Sequence, residues 1–339
     1  MKRKRHAESP VLPEEVLLDI YNYCDLFDVI RAAAVTKQWQ RAAKHPSIWK
    51  KLTIKCIKPK KISTIIKNYG RFIQELTISR TNVTQYLIEQ IYIHCDSLYA
   101  LDISGAWGNS ATNQTFFECV RDMGIIKLIL PNNSKVQQFV AIPTLRILHV
   151  TNNVYLNYRN IELCHNLREL SVSDCRGFTN NSLRSVTQLR LKYLDVSYTV
   201  VTSTAINNVS YSEAARCLEV FLFNGVRLSA AQLTTMAQRI DKLKSLSLSH
   251  VLYGNYEFST LRYFKNVEDL YIGSMFITTQ HVAMIDEMNK LEQICFMCAT
   301  VDIQDMLQLA SKYKIRLYNV FGLHKHHKMK LQQIGVEFV

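Results

Sequence analysis

The hexamer Leu167-Arg-Glu-Leu170-Ser-Val172 shows the pattern that decides the fold, with apolar residues at its first, fourth and sixth positions. The pattern recurs from residue 49 towards the C-terminus, and its last instance is degenerate. The central apolar residues of the twelve instances are Leu52, Leu76, Leu101, Leu128, Leu148, Leu170, Leu194, Phe221, Leu246, Leu270, Ile294 and Ile315. They lie 20 to 27 residues apart. Such a regular period predicts an array of stacked repeats, that is, a solenoid.

Each repeat is expected to supply one short strand and a return segment. Side chains alternate along a strand, so the fourth and sixth residues of the hexamer point into the core, and the next strand lies about 4.8 Å away. A turn, a short helix and a second turn fit in the remaining residues. Segments 229–240 and 279–288 begin with a capping residue and then carry apolar residues at helical spacing. We therefore predict an α/β fold with parallel strands on the concave face and helices on the convex face.

The third residue after each strand often carries a short polar group, as at Asn133, Asn153, Cys175 and Thr199. We expect it to hydrogen-bond the turn backbone of a neighbouring repeat. Repeat lengths and pattern are those of leucine-rich repeats. The segment 170–183, which contains Cys175, resembles the cysteine-containing subtype of that repeat. This subtype is widespread in intracellular F-box proteins.

Residues 12–52 form a separate helical module. Pro13 at a helix start is followed by two acids and by apolar residues at three- to four-residue spacing. The stretch 29–43 favours one helix or two short ones. In order and spacing the module resembles an F-box, and the residues that carry the likeness are Leu12-Pro13-Glu-Glu-Val16-Leu17, Asp28, Val35, Trp39 and Trp49-Lys-Lys-Leu52. The alternative is an ordinary helical cap that covers the end of the solenoid.

The resemblance implies a domain plan and a function. Residues 1–10 are a disordered basic tail, residues 11–50 an F-box, and residues 51–339 a leucine-rich-repeat solenoid of about 12 repeats. F-boxes of this family bind a Skp-type adaptor, which tethers them to a cullin–RING ubiquitin ligase. The residues implied to face the adaptor are Leu12, Pro13, Val16, Leu17, Ile20 and Leu26. Trp39 and Trp49 match positions that tie the F-box helices to each other and to the repeats.

The charge of the chain is uneven. There are 41 Lys and Arg against 28 Asp and Glu, a formal net charge of +13. The clusters Lys2–Arg5 and Lys50–Lys61 account for much of the excess. Both are consistent with solvated surfaces, and Lys2–Arg5 also fits a nuclear import signal. Nucleic-acid binding is not expected, because neither cluster interleaves aromatic residues for base stacking.

The cellular compartment follows from what the sequence lacks. No apolar run approaches 18 residues, and no apolar stretch follows the basic N-terminus, so neither a membrane span nor secretion is expected. Nine scattered cysteines favour reduced thiols. We predict a protein of the nucleus and/or the cytoplasm.

Motifs for catalysis are sparse. The residues that come closest to a zinc ligand set are Cys295-Phe-Met-Cys298 with His324, His326 and His327. No second pair of cysteines accompanies them. Residues 295 and 298 are also expected on opposite faces of a strand. There is no phosphate-binding glycine loop, HExxH or GxSxG motif. We predict no cofactor, no metal and no catalysis by this chain.

Strand alternation also identifies the surface for a protein partner. The residues between the inward-pointing ones should face the concave side, where exposed apolar and aromatic residues favour protein binding. The predicted partner-binding residues of this concave face are Ile147, Tyr193, Asp195, Val220, Leu222, Asp269, Tyr271 and Met297. Two functions remain open. One is the substrate-recognition subunit of an SCF (Skp–cullin–F-box) ligase, which promotes degradation of a bound protein. The other is a non-catalytic repeat scaffold without a role in ubiquitylation.

Overall fold

A computed structural model describes residues 12–107, 114–132, 138–154, 156–249 and 254–339. The chain forms two compact units, Met1–Ala111 and Thr112–Val339. The predicted tail, residues 1–10, and the polar turn residue Asn133 lie outside the described residues.

The first unit begins with four short helices: α1 (Glu14–Asn22), α2 (Leu26–Ala32), α3 (Lys37–Ala42) and α4 (Pro46–Trp49). Side chains cap the starts of α2, α3 and α4. Asp25 accepts a hydrogen bond from the Asp28 N–H at 2.9 Å, and Thr36 accepts one from the Trp39 N–H at 3.3 Å. The stretch 29–43 therefore contributes to two short helices rather than forming one.

Three repeats follow in the same unit. Their strands are β1 (Lys51–Lys55), β2 (Glu75–Ser79) and β3 (Ala100–Asp102), and their helices are α5 (Pro59–Tyr69) and α6 (Gln85–His94). The strands pair in parallel, with Leu52 opposite Leu76 and Leu76 opposite Leu101. All three leucines are buried. The short helical turn Gly70–Phe72 leads from α5 to β2.

The second unit contains the remaining strands. They are β4 (Lys127–Leu130), β5 (Ile147–Val150), β6 (Glu169–Ser171), β7 (Tyr193–Asp195), β8 (Val220–Leu222), β9 (Ser245–Leu248), β10 (Asp269–Gly273), β11 (Phe276–Ile277), β12 (Gln293–Met297), β13 (Thr300–Val301), β14 (Lys314–Tyr318) and β15 (Glu337–Phe338). Its main sheet has the order β4-β5-β6-β7-β8-β9-β10-β12-β14-β15, and its neighbouring strands are parallel.

Helices return the chain between these strands. They are α7 (Gln114–Asp122), α8 (Asn180–Val186), α9 (Ser203–Val209), α10 (Ala230–Arg239), α11 (Asn255–Phe258), α12 (Thr279–Ile285), α13 (Ile303–Ala310) and α14 (Lys325–Gln333). Shorter 3₁₀ turns cover Ile161–Leu163, Ala214–Arg216 and Ser259–Tyr263. Helix α10 begins with a capping box between Ser229 and Gln232, as the sequence of segment 229–240 predicts.

The predicted strand pattern is confirmed. All twelve central apolar residues lie in strands, and those of the second unit stand opposite one another from Leu128 to Ile315. Two features were not predicted. β15 adds a further strand beside β14, and β11 pairs with β13 in a small second sheet.

The polar turn position behaves as predicted at two residues. The Asn153 amide donates to the Pro131 carbonyl at 3.1 Å, and the Cys175 thiol donates to the Val150 carbonyl at 3.1 Å. Both bonds reach the preceding repeat. Thr199 differs, since its hydroxyl donates to the Val196 carbonyl of its own repeat at 2.7 Å. A threonine hydroxyl carries one hydrogen and so donates to one carbonyl.

Candidate partner-binding surfaces

Helix α1 holds apolar side chains out into solvent. Pro13 occupies the N-cap position, and Glu14 and Glu15 follow in the first turn, where acids favour the positive end of the helix dipole. Val16 and Ile20 are 41% and 36% exposed. They lie four residues apart and therefore share one face of the helix.

Leu17 lies on the other side of this helix. It is fully buried, together with Tyr21 one turn later. Its side chain belongs to the core of the helical module and offers no surface to a partner, contrary to what the resemblance implied. Leu12 and Leu26 are partly exposed and Pro13 is exposed, so these residues do reach the surface.

The two tryptophans hold the module together. Tyr21 donates its hydroxyl to the Trp39 carbonyl at 3.0 Å, and the two rings pack edge to face at 5.6 Å. Trp49 donates its indole N–H to the Ala43 carbonyl at 2.8 Å and stacks on Tyr69 of α5 at 3.6 Å. Trp39 thus joins α1 to α3, and Trp49 joins the helices to the first repeat, as the resemblance implied.

Further apolar residues of the module are exposed that the sequence reasoning did not single out as a surface. Tyr23, Phe27, Ile30 and Val35 are 93%, 44%, 47% and 70% exposed. They lie on α2 or on the turns beside it. The sequence could have indicated their exposure through their spacing on α2. Val29 is buried, and Phe27 and Ile30, which lie close to it in sequence, are exposed. A group of exposed apolar side chains on a small helical module is typical of a protein interface.

The concave face of the second unit is organised by strand register. Tyr193 stands opposite Val220, Val220 opposite Ser245, and Ser245 opposite Asp269. Two residues further along each strand, Asp195 stands opposite Leu222. These residues alternate with buried ones along each strand, so they share one face of the sheet.

All eight predicted residues of this face are half-buried. Ile147 stands between Lys127 and Glu169 in the register, and Met297 stands beside Gly273 and Tyr318. The strands bring Tyr193, Asp195, Val220, Leu222, Asp269 and Tyr271 together on β7, β8 and β10. Ile147 and Met297 lie on β5 and β12, outside that group.

Serines on β9 and β6 shape the face. Ser245 and Ser247 are 7% and 2% exposed, although they point to the same side as Val220 and Tyr271. Neither serine was predicted as part of the partner-binding set.

The carboxylates of the face are held in place. Asp269 accepts a hydrogen bond from the Ser245 hydroxyl at 3.0 Å. Asp195 accepts one from the Ser171 hydroxyl at 3.2 Å and one from the Ser197 N–H at 3.0 Å. Fixed carboxylates lose little side-chain entropy when they bind a cationic group of a partner.

The tyrosines supply neutral hydroxyl groups. Burial, followed by the negative charge of Asp195, raises the pKa of Tyr193, and Tyr271 and Glu169 act in the same direction. Burial and the carboxylate of Asp269 raise the pKa of Tyr271. Both phenols therefore remain protonated and can donate hydrogen bonds at neutral pH.

Basic residues at the C-terminal end of the face are paired within the chain. Arg316 and Lys314 form ion pairs with Glu337 of β15 at 2.7 and 3.2 Å. The single carboxylate of Glu337, on a strand that the sequence did not predict, thus offsets one of these two positive charges.

A comparison with known protein families identifies the helical module. A family described as F-box-like matches residues 10–55. Residues 10–55 are an F-box-like domain. The match covers the four helices α1–α4 and strand β1, and it includes every exposed apolar residue described above for the module.

A solved structure has a similar fold over most of this chain. A chain in the crystal structure of the yeast Rad7 and Elc1 complex has a TM-score of 0.65 at 14% identity, and the match covers 96% of this chain and 92% of that chain. An internalin (inlF) of Listeria monocytogenes matches with a TM-score of 0.48 at 13% identity, over 95% of this chain and 96% of that chain. The fold is thus an F-box-like domain followed by parallel-strand repeats of the leucine-rich-repeat type. The cysteine-containing subtype stays a prediction.

The described residues of the F-box-like domain and of the repeats do not show the arrangement of a metal site. Among the described residues, no group of three or more His, Cys, Asp or Glu is placed to hold a metal ion. Cys295 is buried on β12, and Cys298 is exposed just after that strand. No helix in the described part of the chain is long and apolar enough to cross a bilayer.

Proposed function

We propose that this chain is a non-catalytic substrate-recognition subunit of an SCF-type ubiquitin ligase, acting in the nucleus or the cytoplasm. The F-box-like domain binds a Skp-type adaptor and, through it, a cullin. The repeats bind a target protein, which is then ubiquitylated and degraded. The observation that carries the proposal is the F-box-like match at residues 10–55, on a module whose apolar side chains face solvent.

The proposed adaptor face is made of the exposed apolar residues of α1 and α2 with their flanking turns. Its members are Leu12, Pro13, Val16, Ile20, Tyr23, Leu26, Phe27, Ile30 and Val35. Burying such side chains against a partner stabilises a complex by about 25 cal/mol per Å² of apolar surface. Leu17 acts from within, since it packs the helix that holds Val16 and Ile20 in place. The structurally similar chain comes from a complex of Rad7 with Elc1, so a protein of this fold does assemble with a partner.

The proposed target site is the concave face of the second unit. It combines aromatic and aliphatic side chains with fixed carboxylates, and such a surface suits a partner segment that is hydrophobic and basic. Its role in the ligase is recognition and proximity: it holds the target near the ubiquitin-transfer machinery and makes no bond itself.

Affinity purification of the full chain from cells with the proteasome inhibited tests this proposal. Wild type is compared with Val16→Asp combined with Ile20→Asp. We expect the wild type to recover a Skp-type adaptor, a cullin and one or more target proteins. The variant should recover the targets without the adaptor or the cullin. If the wild type recovers no Skp-type adaptor, the proposed function is wrong.

A further inference from the structure

A cleft in the first unit separates the F-box-like helices from the first repeat strand. Its volume is about 750 Å³. Apolar side chains from both elements form its walls, among them Leu26 and Phe27 of α2 and Leu52 and Ile57 of the first repeat. Lys50, Lys51 and Lys55 line it on the strand side, and Asp25 lines it on the helix side.

Strand β1 borders this cleft with an open edge. It is the first strand of the sheet order and pairs only with β2. The Lys50 carbonyl accepts from the Glu75 N–H at 2.9 Å, and the Cys56 N–H donates to the Ser79 carbonyl at 3.2 Å. In a parallel ladder the residues of a strand turn their backbone groups alternately to the two sides. The N–H and C=O groups of Lys51, Thr53 and Lys55 therefore point away from β2.

These outward groups have no backbone partner in the part of the chain that the structure describes. Open strand edges accept extended peptide segments, which add as a further strand and gain main-chain hydrogen bonds. The edge of β1 is thus a template for such a segment, and the cleft provides room beside it.

The charge of the edge selects the segment. The side chains of Lys51, Thr53 and Lys55 are exposed and project to one side of the sheet, while Leu52 and Ile54 project to the other and are buried. Lys51 pairs with Glu75 on β2 at 2.9 Å. Lys55 has no ion-pair partner among the described residues. Asp25 uses one carboxylate oxygen to cap α2, through the Asp28 N–H. Positive charge therefore prevails along the strand.

β2 shows what complements this strand. Its Glu75 stands directly opposite Lys51, and its Leu76 and Ile78 stand opposite Leu52 and Ile54. A segment on the open edge would meet the same alternation, with acids opposite the lysines and apolar residues towards the cleft walls. Opposite charges directly across a strand pair contribute to sheet stability.

We propose that the edge of β1 binds an extended segment of a target protein in which acidic and apolar residues alternate. The segment adds as a strand beside β1 and fills the cleft. Leu26 and Phe27 belong both to the cleft wall and to the proposed adaptor face. Val16 and Ile20, the exposed apolar residues of α1, do not line the cleft. The segment is assigned to a target because the lysines of the β1 edge select an extended acidic segment, and competition with the adaptor tests this assignment. The proposal rests on the proposed function only in calling the bound protein a target.

A designed peptide tests the edge directly. The probe is fluorescein-labelled Glu-Val-Glu-Val-Glu-Val-Glu with blocked ends, and binding to the purified full chain is followed by fluorescence polarisation. A peptide of the same composition, four Glu followed by three Val, is the control for alternation. We expect saturable binding of the alternating peptide and at least roughly tenfold weaker binding of the control.

Two variants separate strand addition from general attraction of charge. Lys51→Glu with Lys55→Glu should weaken binding roughly tenfold or more. Lys60→Glu with Lys61→Glu makes the same change of charge on exposed residues of α5 and should leave binding within about twofold. Thr53→Pro removes one outward N–H without removing a bond to β2, so it should also weaken binding. Circular dichroism of each variant shows whether it is folded.

Several outcomes would overturn the proposal. These are no saturable binding of the alternating peptide, equal binding of the block peptide, or equal loss in the Lys60 and Lys61 variant. Displacement of the peptide by the Skp-type adaptor would assign the cleft to the adaptor instead. Self-association of the full chain, lost in the Lys51 and Lys55 variant, would assign the edge to a second copy. The peptide assay uses the purified chain without an adaptor. Its result can therefore be interpreted even if the chain fails to bind an adaptor.

Discussion

The F-box-like helices and the concave face of the second unit both offer apolar side chains to a partner, but they do so differently. On the helices Val16, Tyr23 and Val35 are 41%, 93% and 70% exposed. On the concave face Tyr193 and Leu222 are half-buried, and Asp195 beside them is fixed by hydrogen bonds. The first surface relies on apolar area, and the second relies on a fixed arrangement of mixed groups.

This difference indicates how each surface selects its partner. A broad apolar face on short helices gains affinity from buried area and tolerates small adjustments of the side chains. Hydrogen-bonded carboxylates and neutral phenols demand matching donors and charges, because an unmatched polar group costs free energy when it is buried. The helices thus suit one constant partner, and the concave face suits discrimination among many proteins.

The largest expected effect is on the helices. Val16→Asp with Ile20→Asp places two charges in the proposed adaptor interface, where even truncation of an important residue costs about 2 kcal/mol. We expect adaptor affinity to fall about 100-fold or more. Isothermal titration calorimetry of the full chain with the adaptor measures it.

The matched control makes the same changes at residues of similar exposure in the second unit. Leu163 and Val200 are 46% and 51% exposed. Leu163→Asp with Val200→Asp should leave adaptor affinity unchanged. Equal losses in both pairs would mean that the effect is not specific to α1.

The core of the second unit is expected to respond next most strongly. Leu170 is fully buried and stands opposite Leu148 and Leu194, so Leu170→Asp buries a charge without a partner. We expect a loss on the order of 4 kcal/mol in the free energy of unfolding. Because each repeat is stabilised by its neighbours, more than one repeat should unfold.

Hydrogen exchange measured by mass spectrometry locates the repeats that unfold. Arg190→Asp changes an exposed residue of the same unit and serves as the control. Loss of protection confined to residues 167–172 would contradict cooperative stabilisation by neighbours.

The concave face should lose its partner by moderate amounts. Tyr193→Ala with Leu222→Ala removes the apolar anchors, and Asp195→Lys with Asp269→Lys reverses the charge. Each pair should weaken target binding about tenfold or more while adaptor binding persists. Quantitative mass spectrometry of the affinity-purified chain measures both.

The control for both pairs of substitutions uses exposed residues away from the strands. Leu163→Ala with Tyr256→Ala removes side chains that are 46% and 79% exposed and should not alter target recovery. Target binding that survives both concave-face variants, and that is lost when residues 318–339 are removed, would place recognition in the C-terminal segment.

The smallest expected effect is a pH dependence of stability that arises from one histidine of α12. His281 is 7% exposed and packs on Phe258 at 4.6 Å, and its Nδ1 accepts a hydrogen bond from the Thr278 N–H at 3.2 Å. Burial lowers the pKa of His281. The unfolded chain therefore binds a proton more readily, so stability is present above the unfolded pKa of about 6.5 and is lost as pH falls below it.

The melting temperature should therefore fall by a few degrees more in the wild type than in His281→Asn when pH is lowered from 7.5 to 5.5. Asparagine cannot take up the proton, and its side-chain oxygen can still accept a hydrogen bond from the Thr278 N–H. Scanning calorimetry at both values measures it. An identical pH dependence in the two proteins would exclude His281 as the cause.

The sequence predicts the strands better than the surfaces. Each strand from β1 to β14, except the two-residue strands β11 and β13, is marked by the hexamer or, at β14, by its degenerate form, because the strand residues that face the core are apolar in every repeat. β15 and the pair β11–β13 were missed because two residues are too few to show alternation. The pairing of Glu337 with Arg316 was missed for the same reason.

The predicted site residues show the same difference between what a local pattern determines and what packing determines. Alternation gave the direction of Tyr193 and Asp195 correctly, since it follows from the strand alone. The family resemblance assigned Leu17 to the adaptor, and a resemblance in sequence does not show which of two adjacent apolar residues faces the core. The buried state of Ser245 and Ser247 depends on larger neighbours from other repeats, which no local pattern shows.

The most direct test of the central claim is the lifetime of the bound proteins. Targets are identified as those recovered with the wild type and lost with Asp195→Lys combined with Asp269→Lys. Their half-lives are then measured by pulse–chase mass spectrometry in cells that express either the wild type or Val16→Asp combined with Ile20→Asp. A substrate receptor predicts longer half-lives with the second chain, which holds the targets but lacks the adaptor. Half-lives that are the same with both chains would contradict the account and would identify the protein as a scaffold.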